Sequence, residues 1–170
     1  MTKQQTAAVA AALLPAWKGR LPAPFPTDLV PEMTLEQAYL VQDALTAELQ
    51  RELGTVAGYK AAFNAPSEQE KLGIAEPVTG RLFAGRLVED GGRLDGNRFG
   101  LFSIETELAF RVGARVTAVV EDAPALEPLI ESVHAAFDIA DNRYDRAGRE
   151  QNIADFVAGS HVVLVPNETW

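Results

Sequence analysis

Two glutamates spaced two residues apart in an apolar run are the first residues whose spacing suggests chemistry. They stand in Ser103-Ile104-Glu105-Thr106-Glu107-Leu108-Ala109-Phe110. An extended strand points successive side chains to opposite faces, so Glu105 and Glu107 share one face with Ala109, while Ile104, Thr106, Leu108 and Phe110 share the other. Two carboxylates on one strand face lie roughly 6–7 Å apart and repel each other. A hard divalent cation such as Mg2+ or Mn2+ relieves that repulsion, because it prefers carboxylate oxygens. A solvated face that happens to carry two acids satisfies the same pattern. A third acid narrows the choice. Asp138 lies in Ala136-Phe137-Asp138-Ile139-Ala140-Asp141, where Phe137 and Ile139 should face the core and Asp138 the opposite way among alanines. A buried carboxylate there needs a hydrogen bond, an ion pair or a metal.

Lys60 follows Gly58-Tyr59 on a short apolar strand. It reads either as an anchor for a substrate carboxylate that can also move a proton, or as a surface lysine. Arg143 reads either as an anion ligand or as the ion-pair partner of Asp141 or Asp145. His134 at a helix-to-strand junction and His161 in an apolar stretch read as structural residues. There is no Ser/His/Asp grouping of recognisable spacing and no phosphate loop; Gly91-Gly92 and Gly96 are turn glycines.

The composition sets the frame. Of 170 residues, 47% are hydrophobic and 23% charged, as in an ordinary globular domain with a core. The net charge of −9 opposes binding to nucleic acid and to anionic membranes. The absence of cysteine removes disulfides, thiolate metal sites and cysteine nucleophiles. No apolar run reaches the ~18 residues of a membrane span. Ala7 to Leu14 is read as part of a first helix rather than a leader, because Pro15, Trp17, Lys18 and Arg20 stand where a small-residue cleavage site is expected. The compartment expected is the cytoplasm.

The elements that must position these residues are an N-terminal helical region, 1–54, and a mixed-sheet region, 55–170, in one α+β domain. The first helix runs from Thr2 to about Trp17. Pro22, Pro24, Pro26 and Pro31 make 21–31 an extended connector. Thr34 and Gln37 form a capping box opening a helix with apolar positions at 3.6-residue spacing, ending near Gly54. Strands are expected over 56–62, 102–112 and 135–140, with shorter pieces over 80–84, 85–88, 93–95 and 116–120. Helices are expected over 66–72 and 125–133, and 153–158 fits either type. A last strand, 162–165, is cut off by Pro166 and is expected to be an exposed edge.

Taken in order, these pieces resemble the 2-keto-4-pentenoate hydratase and 4-oxalocrotonate decarboxylase group of the fumarylacetoacetate hydrolase-like superfamily. Ala38-Tyr39-Leu40-Val41-Gln42 resembles the family's early Ala-Tyr-x-x-Gln helix, and Gly58-Tyr59-Lys60 its lysine-bearing strand. Leu72-Gly73 through Glu76-Pro77 to Gly80-Arg81-Leu82-Phe83 resembles the loop and strand that follow. Ile104 to Phe110 resembles the V-E-x-E-x-A-F metal strand, and Asp138 to Arg143 the E-I-x-D-S-R segment. The resemblance implies a β-roll that stops short of the family's last strands. It implies Mg2+ or Mn2+ held by Glu105, Glu107 and Asp138, a catalytic and substrate-binding Lys60, and substrate binding by Arg143. It further implies lyase chemistry on a small 2-oxo acid or its enol, by hydration or decarboxylation, in a homo-oligomer or a hydratase–decarboxylase complex. Acylpyruvate C–C hydrolysis and a non-catalytic partner subunit are the alternatives. The sequence departs from the pattern at Asp138, one methylene shorter than Glu, and at Val78, where many hydratases carry a catalytic Asp. It departs again at Phe156-Val157-Ala158, which replace Asn-Ala-Ser.

Overall fold

The structure is a computed structural model that describes residues 1–18, 23–145 and 148–166. Residues 21 and 22 of the expected connector and the chain end at Trp170 lie outside the described residues.

Helix α1, Lys3–Leu13, opens on Thr2, whose hydroxyl accepts from the Gln5 amide while the Gln5 side chain accepts from the Thr2 amide. Strand β1, Ala23–Pro24, is a short parallel partner of a later strand. Helix α2, Leu35–Leu53, starts at the Thr34–Gln37 capping box and ends at Gly54, which takes the positive φ of 79° that a side chain resists. Its buried stripe of Ala38, Val41, Leu45 and Leu49 packs on Val9 and Leu13 of α1. Strands β2, Val56–Ala62, and β3, Val78–Phe83, pair antiparallel on either side of helix α3, Pro66–Leu72.

Strands β4, Leu87–Glu89, and β5, Phe102–Val112, come next, followed by the single-turn helix α4, Ala123–Leu126. Strand β6, Ile130–Asp141, follows, then β7, Tyr144–Asp145, which pairs with β1. Helix α5, Arg149–Ala154, and strand β8, Gly159–Leu164, complete the described elements. The larger sheet has the order β4-β8-β6-β5 and is mixed: β8 runs parallel to β4 and antiparallel to β6. The fold is therefore α+β, with N-terminal helices leading into a mixed sheet.

Three expectations need correction. The helix over 125–133 is a single turn followed by a tighter turn, Glu127–Leu129, and then strand from Ile130. Pro128 lacks the amide a helix needs, and eleven residue partnerships with β5 outweigh the local helix propensity of Ala125 to Leu129. Residues 116–120 and 93–95 form no strand. The strand ending near Val165 is not an edge: β8 lies between β4 and β6, and the long free edge belongs to β5. The segment 153–158 is the end of a helix and then a turn. There Phe156, Val157 and Ala158 all have φ between 55° and 57°. Such left-handed backbone costs about 1–2 kcal/mol per residue and persists only when packing fixes it. Here Phe156 is fully buried, edge-on to both Trp17 and Phe83.

The core lies between α1, α2, α5 and β3, around Leu13, Leu45, Phe83, Ile153 and Phe156. Among the described residues no helix is long and apolar enough to cross a membrane.

Candidate metal and substrate cleft

The register of β5 and β6 fixes the geometry of the acids. Glu105 is directly opposite Asp138, and Glu107 is opposite Ala136, the next position on the same face. Strand alternation has therefore brought the three acids to one side of the sheet. The β2–β3 hairpin stands over that side, and between them lies a cleft of about 1140 Å³ whose lining includes Lys60, Glu107, His134 and Asp138.

Lys60 reaches across this cleft. Its Nζ donates to Asp138 Oδ2, and both side chains are nearly withdrawn from solvent. Gly58, two residues earlier on the same strand face, borders open space: among the described residues a Cβ there would meet nothing within 4 Å. Asp138 Oδ1 is buried and has no partner among the described residues. A carboxylate oxygen in that state has lost water and gained nothing in return, so the site favours a further cation or donor.

The expected convergence of Glu105, Glu107 and Asp138 is corrected in one respect. The three share a face, yet among the described residues no three acids or histidines gather closely enough to hold a metal ion. The physical reason lies in the partners. Asp138 is short and drawn to Lys60, while Glu105 is exposed and accepts from the hydroxyl of Ser103 at 3.3 Å. The donor set is nevertheless that of a hard cation, being carboxylate oxygens only, and the orphaned Oδ1 faces no competing donor.

Arg143 is not positioned as a substrate ligand. It is buried, donates to Asp155 Oδ2 at 3.1 Å and to the Gly159 carbonyl at 2.8 Å, and pairs with Asp141 at 3.8 Å. Its guanidinium also stacks 3.7 Å from the Trp17 ring centroid. The ion-pair reading of Arg143 with Asp141 holds, and Asp155 is the partner the sequence did not suggest. Asp155 also accepts from the Trp17 indole at 2.9 Å. Burial pushes its carboxyl up to about 6, against the opposing pull of Arg143 and Trp17. His161 accepts from Arg86 at 2.8 Å; burial first, and then the Arg86, Arg143 and Arg98 charges, push it down to about 4.

His134, expected to be structural, also lines the cleft. It shares the face of Ala136 and Asp138, because residues 134, 136 and 138 alternate in step on β6. With Nδ1 protonated, it donates to the Val165 carbonyl at 3.3 Å and its Nε2 accepts from Ser132 Oγ at 2.8 Å. The helix assigned to 125–133 hid this period-2 signal. The Ala-Tyr-x-x-Gln helix also acquires a physical role. Buried Gln42 donates to the Thr79 and Ile153 carbonyls at 3.1 and 2.6 Å, and Tyr39 Oη accepts from the Thr79 amide at 3.0 Å. The motif holds β3, and with it the hairpin, in place over the cleft.

The chain is similar to known proteins in sequence and in fold. Over 122 aligned residues the chain is 30% identical to a 4-oxalocrotonate decarboxylase from a Pseudomonas species, covering 67% of this chain and 46% of that protein. Over 80 residues it is 35% identical to a 2-oxo-hept-4-ene-1,7-dioate hydratase from Escherichia coli, covering 47% of this chain and 30% of the relative. The chain is related to the 2-keto-4-pentenoate hydratase and 4-oxalocrotonate decarboxylase family. It spans less than half the length of these two curated members. No family model matches it. Two structures of the 4-oxalocrotonate decarboxylase from Pseudomonas putida G7 superpose with TM-scores of 0.87 and 0.88 at 22% identity. They match over 96% of this chain and over 62% and 63% of theirs, respectively. One holds calcium and acetate, the other magnesium and adipate. The family's fold is thereby shared across almost the whole chain.

Proposed function

We propose that this chain forms the core of a divalent-metal-dependent lyase acting on a small 2-oxo acid or its enol, by hydration of a 2-hydroxydienoate or by decarboxylation of an oxalocrotonate-type diacid. The observation that carries this reading is the Lys60–Asp138 pair spanning the cleft, with Glu105 directly opposite Asp138 and Glu107 beside it. Glu105, Glu107 and Asp138 are the residues that would hold Mg2+ or Mn2+. A cation there supplies a Lewis acid for the enolate character that both reactions develop at the substrate's C2 oxygen.

The chain's own residues do the rest. Lys60 is the cation of the cleft: it binds a carboxylate, its own Asp138 or the substrate's, and carries a proton to or from the carbon skeleton. The hairpin above it limits water. Val78 is buried and has no acid or base to offer, so proton transfer falls to Lys60. Arg143 holds Asp155 and the start of β8 and acts on the cleft only through them. The assembly proposed is a homo-oligomer, with pairing to a hydratase or decarboxylase subunit as its variant, in the cytoplasm.

His134 supports a second reading. Acylpyruvate C–C hydrolysis needs a base beside a positioned water, and His134 is an imidazole on the cleft lining whose Nε2 is held by Ser132 Oγ at 2.8 Å. One panel separates the readings: turnover of 2-hydroxydienoates, oxalocrotonates and acylpyruvates with Mg2+ or Mn2+, in the wild type and in His134→Asn. Lyase turnover that survives His134→Asn supports the first reading. Acylpyruvate cleavage lost in His134→Asn supports the second. No metal-dependent turnover of any of the three would sink both.

A further inference from the structure

The two oxygens of Asp138 have different surroundings. The residue is 4% exposed, in the middle of β6 with Glu105 of β5 on one side and Val162 of β8 on the other. Oδ2 accepts from Lys60 Nζ, which reaches in from β2. Oδ1 is buried by the same strands and has no partner among the described residues. Leaving a buried carboxylate oxygen in that state is costly unless a donor or a cation meets it. The ladder on both sides holds the backbone of Asp138, and its single methylene gives the carboxylate little freedom to turn.

We infer that Lys60 selects the metal: by holding Oδ2 it leaves Asp138 a single oxygen for the ion, and it thereby favours Mg2+ over Ca2+. The inference rests on the metal site proposed above and assigns Lys60 a further part in it, exerted through Asp138. Lys60 stays on Oδ2 when the ion is bound, and the ion is met at Oδ1.

The coordination habits of the two ions give the direction. Mg2+ is small and demands a near-ideal octahedron, and the two oxygens of one carboxylate sit too close together to fill two of its corners. A carboxylate limited to one oxygen costs Mg2+ nothing. Ca2+ takes roughly six to eight oxygens in a flexible shell and readily accepts both oxygens of one carboxylate. Tying up Oδ2 therefore removes a ligand that Ca2+ could use. Charge does not discriminate. Three carboxylates less one ammonium leave this face a formal charge of −2, which either divalent ion neutralises. The repulsion of the ammonium lowers the affinity of both ions alike, so the ratio of the two affinities reports the tie.

Calorimetric titration of the wild type and Lys60→Met with magnesium chloride and with calcium chloride tests this. In Lys60→Met the ratio of the two dissociation constants should move toward Ca2+ by about tenfold or more, because Oδ2 is released as an additional ligand. A merely loosened fold would weaken both ions together. An unchanged ratio would overturn the inference and leave the metal site standing, whereas no binding of either ion by either protein would sink both. A second measurement needs no variant. Acylation of Lys60 by acetic anhydride, read by peptide mass spectrometry against exposed Lys18, should be no faster in saturating Mg2+ than in chelator, because Lys60 keeps its partner. Acceleration by about threefold or more would show the ion displacing Lys60 from Asp138. That result would refute the inference even if Lys60→Met does not fold.

Discussion

Lys60 and Asp138 come from different sheets, 78 positions apart in sequence, and meet as an almost fully buried ion pair across the cleft. Removing one partner of such a pair strands the other, which is costlier than removing both. Lys60→Met and Asp138→Asn should each lower stability by roughly 3 kcal/mol. The double variant should lose less than the sum, with a coupling above ~1 kcal/mol. Denaturant unfolding of the four proteins measures this, and additive losses would mean that the pair does not form in solution. Lys60→Met should also cut turnover at least tenfold, equivalent to about 1.4 kcal/mol in the barrier.

Metal binding should stabilise the fold by mass action. Millimolar Mg2+ or Mn2+ should raise Tm in the wild type, and Glu107→Gln should abolish the shift. That substitution keeps the shape and removes one of the three charges on the shared face. An equal shift in Glu107→Gln would remove Glu107 from the proposed ligand set.

Two buried groups give opposite pH slopes. His161, pushed down to about 4 from 6.5, contributes stability that is complete above pH 6.5 and is lost as pH falls through 4. Asp155, pushed up to about 6 from 3.8, contributes stability that is complete below pH 3.8 and is lost as pH rises through 6. The two oppose each other between pH 4 and 6. Relative to the wild type, His161→Asn should therefore gain in Tm as pH drops from 6.5 to 4. Asp155→Asn should lose over the same range. A pH-independent difference for either variant would refute the buried state assigned to that residue.

Gly80 tests the strained turn. A Cβ at this position would fall 2.1 Å from the Phe156 carbonyl oxygen, a backbone atom held in left-handed geometry. Gly80→Ala should cost about 3 kcal/mol or more, lowering Tm by about 6–12 °C. A loss below 2 °C would show that the turn yields easily.

How much of this was legible in the sequence depends on the range of the interactions. The capping box at Thr34 and the alternation around Glu105 are local, and each marks its element; the box at Thr2 is just as local but emerged only with the structure. Alternation fixed the shared face of Glu105 and Glu107, while the place of Asp138 beside them followed only from the family resemblance, because the register of β5 on β6 is not written in either strand. The partner of Lys60 did not, because an ion pair between two sheets leaves no periodic trace. Arg143 was ambiguous for the same reason: its indole and carboxylate partners arrive from Trp17 and Asp155. The edge assigned to 162–165 failed because β4 is only three residues long, too short to signal that it covers β8.

The left-handed run Phe156–Val157–Ala158 has a consequence for how this chain can vary over time. Trp17 touches Phe156 edge-on, stacks on Arg143 and donates to Asp155 immediately before the run, and Gly80 lies under the Phe156 carbonyl. No one of these positions can drift alone: a smaller residue at 17 releases the turn, and a larger one at 80 expels it. Trp17, Gly80 and 155–158 therefore form a single heritable unit. Homologues with Asn-Ala-Ser in the turn should differ at position 17 or 80 as well, and a set of relatives in which these sites vary independently would argue against such linkage.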